Sequence, residues 1–108
     1  QKYPLSATDF YQIFDTSDVP AGVVNIVTGD RGALTKTLAE HDEVDGLWYF
    51  GSDVSGSGLV EKSSVGNLKR TWVNNGKQRN WLDRDEAEGE EFLRHAVEIK
   101  NVWIPYGE

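Results

Sequence analysis

The sequence predicts an α/β fold built on a short parallel sheet, and three observations point to it. Residues 23–27 (VVNIV) and 46–50 (GLWYF) are apolar on both faces, as strands are when helices cover both sides of a sheet. Between them, Leu34 and Leu38 lie one helical turn apart, and Asp30 stands where a helix cap belongs. Residues 68–73 then supply a third strand, closed by the turn-forming Asn74-Asn75-Gly76. Strand, helix and strand within about 30 residues form a βαβ unit whose crossover is right-handed.

The flanking elements follow from local signals. Ser6 is a candidate N-cap, Asp9 suits the first turn, and Leu5 and Phe10 occupy the positions of a hydrophobic staple. Phe10, Ile13 and Phe14 share a helical face, and Pro20 ends this first element. The second helix is expected to run to about His41, and a third over residues 54–64, weakened by Gly56 and Gly58. Residues 78–91 are polar and acidic and predict a loop into a helix around Phe92 and Leu93. Residues 97–104 predict a last strand. Three parts are therefore expected: residues 1–77, an acidic connection over 78–91, and a helix with a terminal strand over 92–108.

Bulk properties exclude several functions. The net charge of −7 argues against nucleic acid as a partner, because phosphate contacts need lysine and arginine. No apolar run reaches the length of a membrane span, and no signal peptide is evident. The 108 residues contain no cysteine, which removes disulfides, thiolate metal sites and a cysteine nucleophile, and suits a cytoplasmic protein. They contain no methionine either, so the chain is expected to be a processed product or a fragment. His41 and His95 lack the companions of a metal site. The acidic stretch 86–91 lacks the spacing of a calcium loop. Trp48 and Trp72 are expected in the core or a buried interface. Lys69 and Arg70 are expected at the surface near a strand start.

One constellation bears on chemistry. Gly51 directly follows a buried strand, Ser52 brings a hydroxyl, and a helix begins two residues later. That is the geometry of a phosphate cradle, in which helix-start N–H groups and the helix dipole receive an anion. A tight βα turn with no ligand accounts for the same residues.

Several segments in order resemble the aldehyde dehydrogenase superfamily. Val19-Pro20-Ala21-Gly22-Val23-Val24-Asn25-Ile26-Val27-Thr28-Gly29 is similar to that family's L-P-x-G-V-x-N-V-V-T-G. His41 and Val44 match its H-x-x-V. Tyr49-Phe50-Gly51-Ser52 stands at its F-T-G-S, with Gly56 at a later glycine of that motif. Asn67-Leu68-Lys69-Arg70 leads to Gly76-Lys77 where the family has E-L-G-G-K. Residues 96–103 (AVEIKNVW) resemble its C-terminal strand. The resemblance implies a partial Rossmann-like NAD-binding domain with an oligomerisation-type strand. The vestigial cofactor-binding residues would be Gly51, Ser52 and Gly56. The interface residues would be Ile99, Val102, Trp103 and Ile104.

The departures shape the expected function. The family's general base is the E-L-G-G-K glutamate. Aligned from the right that position is Val73, and aligned from Asn67 it is Asn74; neither takes a proton at neutral pH. The family's nucleophile is a cysteine in a following domain, and the stretch between Lys77 and the last strand is too short to hold one. Phe50 replaces the F-T-G-S threonine, and Asp53 puts a negative charge beside the cradle. The Trp-rich segments and the ending Ile104-Pro105-Tyr106-Gly107-Glu108 resemble the tandem, family 16 type, whose second domain is degenerate. The expectation is a non-catalytic C-terminal piece serving structure and assembly, inactive alone and with no cofactor of its own, NAD(P) belonging to the parent enzyme. The alternative is a vestigial NAD(P)-binding half-domain. The implied partners are the rest of the parent or a second copy in a homodimer, not nucleic acid or a membrane.

Overall fold

The computed structural model describes residues 3–107. The chain opens with two short helices, α1 (Pro4–Thr8) and α2 (Tyr11–Asp15). Pro4, not Ser6, sets the start: it takes the first helical position, where its fixed φ fits and its missing N–H costs nothing. Ser6 therefore lies inside α1, and Leu5 and Phe10 are exposed rather than stapled together.

Residues 23–27 are not a strand, which corrects the three-stranded expectation. A strand exists only where a neighbour takes up its backbone groups. Here Ile26 donates its N–H to the Tyr11 hydroxyl at 3.2 Å, and that hydroxyl reaches the Ile26 carbonyl at 3.3 Å. Val23 and Val27 stay exposed.

The ordered centre is the β-α-β unit that follows α3 (Arg31–Glu40). Asp30 caps this helix as expected, accepting the Ala33 N–H at 2.8 Å. β1 (Gly46–Tyr49), α4 (Val54–Ser63) and β2 (Arg70–Val73) come next. The strands are parallel, with Gly46 opposite Arg70 and Trp48 opposite Trp72. The sheet thus has two strands, covering 46–49 and 70–73 of the expected ranges. α4 packs on α3 and on both strands, and Ala39 and Val60 are fully buried.

Two side chains join the second strand to the end of α3. Lys69 is buried, not at the surface, and its ammonium donates to the Leu38 carbonyl at 3.0 Å and the His41 carbonyl at 2.6 Å. A cation at a helix C-terminus satisfies orphan carbonyls and complements the dipole. Asn67 donates to the Asp42 and Val44 carbonyls at 2.7 and 3.1 Å. β2 ends in a tight turn: Lys77 donates its N–H to the Asn74 carbonyl at 3.0 Å, with Asn75 and Gly76 at φ 50° and 74°. Positive φ at both central positions is what Asn-Gly supplies.

The connection over 78–91 contains a short helix, α5 (Arg84–Ala87), and leads into α6 (Glu90–Ala96). It folds back on one sheet face. Trp72 stands 5.1 Å from Trp48, 4.9 Å from Phe50 and 5.1 Å from Phe92, all edge-on, and His95 stacks on it at 3.9 Å. The Arg79 guanidinium sits 5.2–5.6 Å from the rings of Phe50, Trp72 and Phe92 and pairs with Glu91 at 2.8 Å. Trp48 is only partly covered by this cluster.

Residues 97–104 form no strand either, contrary to expectation. The segment is anchored at its start, where Arg70 donates to the Val97 carbonyl at 2.9 Å. Beyond that no ladder partner meets it among the described residues. Ile99, Val102, Trp103 and Ile104 are exposed, Trp103 to 90%.

Candidate functional site

The cradle of the β1–α4 junction is assembled where the sequence places it, but its own side chains fill it. Asp53 is the N-cap of α4. Its carboxylate accepts the Gly56 N–H at 2.7 Å and the Ser55 hydroxyl at 3.0 Å. On its other oxygen it accepts the Tyr49 hydroxyl and the Arg31 guanidinium, both at 3.1 Å. A bound anion would sit at this helix start and use these same donors.

Tyr49 occupies the space as well. It is the buried residue at the end of β1, and its ring crosses in front of the helix start. A Cβ on Gly51 would overlap the Tyr49 ring, and a Cβ on Gly56 would overlap its hydroxyl. The two glycines that the family resemblance marks as cofactor-binding thus make room for this chain's own tyrosine. Arg31 lies 5.7 Å from the ring centroid and closes the cluster from α3.

Ionisation follows the contacts. The Ser55 hydroxyl and then the Gly56 N–H, with smaller help from Tyr49 and Arg31, hold the Asp53 carboxyl below its ordinary value. Burial, and then the hydrogen bond to Asp53, push the Tyr49 hydroxyl up. The pair is therefore a charged carboxylate beside a neutral phenol at neutral pH. A dinucleotide pyrophosphate does not fit this set: it meets a like charge on its own donors and a ring in its volume.

Asn74 holds the other side of the turn. Its side chain accepts the Gly51 N–H at 3.2 Å and donates to the Gly51 carbonyl at 2.7 Å and the Lys77 carbonyl at 2.7 Å. The amide thereby adds one rung to the sheet beyond Val73. Of the two candidate base positions, Val73 is a ladder residue opposite Tyr49, and Asn74 is committed to backbone clamping.

The structure brings Gly51 and Gly56 together around one ring, with exposed Ser52 at the lip. It keeps Ile99, Val102, Trp103 and Ile104 apart from them on the free tail. Sequence reasoning found Asp53 as a charge but missed it as a cap. The signal was available, since an aspartate immediately before a helical run is a standard cap position. Nothing local marks Tyr49, Arg31 or Arg79. His41 accepts the Glu43 N–H at 3.1 Å and His95 stacks on Trp72, so both histidines have structural contacts. Among the described residues, no cluster of three or more potential metal ligands occurs, and no helix is long and apolar enough to cross a membrane.

Comparison with known proteins agrees with the ordered motifs. Residues 1–100 match the model of the aldehyde dehydrogenase family. The chain is 35% identical over 94 residues to a 3-succinoylsemialdehyde-pyridine dehydrogenase of Pseudomonas sp, covering 87% of this chain and 20% of that protein. It is 32% identical over 76 residues to the NADP/NAD-dependent aldehyde dehydrogenase PuuC of Escherichia coli K12, covering 70% and 15%. The matched stretch thus spans a fifth or less of these relatives' length. No solved structure matches the chain. The motif order, the βα junction with its two glycines and the family match lead to one conclusion: this chain belongs to the aldehyde dehydrogenase family.

Proposed function

We propose that the chain is a non-catalytic segment of an NAD(P)-dependent aldehyde dehydrogenase, serving structure and assembly in a cytoplasmic parent of the tandem, family 16 type. The observation that carries this reading is Asp53, whose carboxylate takes the α4 donors that an anion would need. Val73 and Asn74 at the base position and the absence of cysteine from the 108 residues support it. The tryptophan-rich strands support the family 16 type. Gly51, Ser52 and Gly56 are the remains of a cofactor loop under this reading, and NAD(P) is held elsewhere in the parent. The partner is the remainder of the parent or a second copy, engaged through Ile99, Val102, Trp103 and Ile104. Large apolar side chains exposed together on one segment invite such association.

An NAD-linked aldehyde oxidation assay on the purified chain tests the catalytic half. Turnover at background is expected, and activity that survives repurification contradicts it. Sedimentation tests the assembly half. The chain is expected to associate at micromolar concentration and Trp103→Ala to weaken that association; a stable monomer in both cases overturns it.

A further inference from the structure

A cavity of about 270 Å³ lies between the start of β2 and the end of α6, beside the aromatic cluster. Its lining brings Arg70, Arg94 and His95 together with the indoles of Trp48 and Trp72, and contains no carboxylate. That runs against the chain's net charge of −7. The strand register explains the placement. Arg70 and Trp72 lie two apart on β2 and so share a face. Trp48 stands opposite Trp72, and opposite Arg70 stands Gly46, which adds no side chain to that face. His95 of α6 stacks on Trp72 at 3.9 Å. Local needs account for two of the three bases, since Arg94 and His95 in the last turn of α6 complement the helix dipole. Arg70 has no such role. Arg31, Arg79, Arg84 and Arg94 each reach a carboxylate, whereas Arg70 forms no ion pair among the described residues. One of its nitrogens donates to the Val97 carbonyl at 2.9 Å, which leaves its other donors for a ligand.

We propose that this cavity binds a small aromatic carboxylate. Two guanidinium groups, charged at any physiological pH, face it from β2 and from α6, and a guanidinium fork matches a carboxylate with two parallel hydrogen bonds. The Arg94 contact with Glu90 is no obstacle: it spans 3.9 Å between exposed side chains, and such a pair holds weakly. The indoles select the rest of the ligand. Trp48 is still 40% exposed, so a flat apolar ring placed against it removes that surface from water, which a fully hydrated phosphate does not do. A ligand held by both arginines ties α6 to β2 next to Val97, where the 97–104 segment is anchored. None of Arg31, Tyr49, Gly51, Asp53 and Gly56, which close the cradle, lines this cavity.

The test is a titration of the chain with benzoate, read by tryptophan fluorescence. A saturable change is expected, with a dissociation constant on the order of 1 mM. Benzamide, the neutral molecule of the same shape, and inorganic phosphate, the anion without a ring, are expected to bind far more weakly. Arg94→Gln removes an exposed side chain, and Arg70→Lys keeps a donor for the Val97 carbonyl; each is expected to weaken benzoate binding about tenfold. Equal binding of benzamide shows that charge does not select the ligand, equal binding of phosphate shows that the indoles do not, and either result overturns the proposal. So does unchanged binding in either variant, or a response that rises linearly with benzoate through collision with the exposed Trp81 and Trp103.

Discussion

Asp53 and Tyr49 decide what the β1–α4 junction does. A glycine after a buried strand announces close approach, and the sequence cannot say of what, since a phosphate and a phenol ring impose the same demand. The ring comes from two residues upstream, and its partner carboxylate from two residues downstream of Gly51. Only the fold brings both to one helix start. The consequence for pH has a definite sign. The folded-state pKa of Asp53 lies below its unfolded value, so its contribution to stability is fully present above the unfolded pKa, about 3.9. It is lost as pH falls through the folded value. Asp53→Asn is therefore expected to lower Tm at neutral pH, with the gap to the wild type closing on acidification below pH of about 4. Thermal melts of both proteins across that range check this, and a gap independent of pH contradicts the assigned ionisation. Tyr49, with its raised value, has the opposite sign: its contribution is present below about pH 10 and is lost as pH rises through the folded pKa.

At the scale of elements, local signals succeeded where the partner was also local. Asp30 before α3 and the Asn-Gly turn after β2 both act within a few residues. Residues 23–27 and 97–104 carry equally good strand patterns, yet neither is a strand, because pairing is a property of two segments. Lys69 shows the same limit. Its position between a turn and a strand suggests solvent, whereas its ammonium caps a helix that ended about 30 residues earlier, the separations being 31 and 28 residues. Lys69→Met keeps much of the buried stem and leaves the Leu38 and His41 carbonyls without their charged donor. It is expected to cost about 2 kcal/mol, from the strength of charge-assisted hydrogen bonds. Urea unfolding monitored by tryptophan fluorescence measures this, and a change under about 0.5 kcal/mol removes the capping role.

The whole molecule is open for its size. Its radius of gyration is 17.0 Å, where a compact chain of this length has about 13 Å. Ala39, Tyr49 and Val60 are its only buried apolar side chains among the described residues, while many others, from Leu5 to Ile104, face outward. The described residues form a two-stranded sheet with a thin helical layer on one face and an aromatic cluster on the other. The chain matches the aldehyde dehydrogenase family and covers a fifth of one relative's length. Composition and motif order made the family legible; the filling of its cradle was not, because it depends on where one tyrosine ring lies. The Gly56 amide proton reports that filling most directly. In an NMR titration of the labelled chain with NAD⁺ to millimolar concentration, the Gly56 and Gly51 amides are expected to stay in place, the Gly56 N–H remaining on Asp53. A saturable shift of these two signals, absent with adenosine alone, would contradict the closed cradle and return the chain to nucleotide binding.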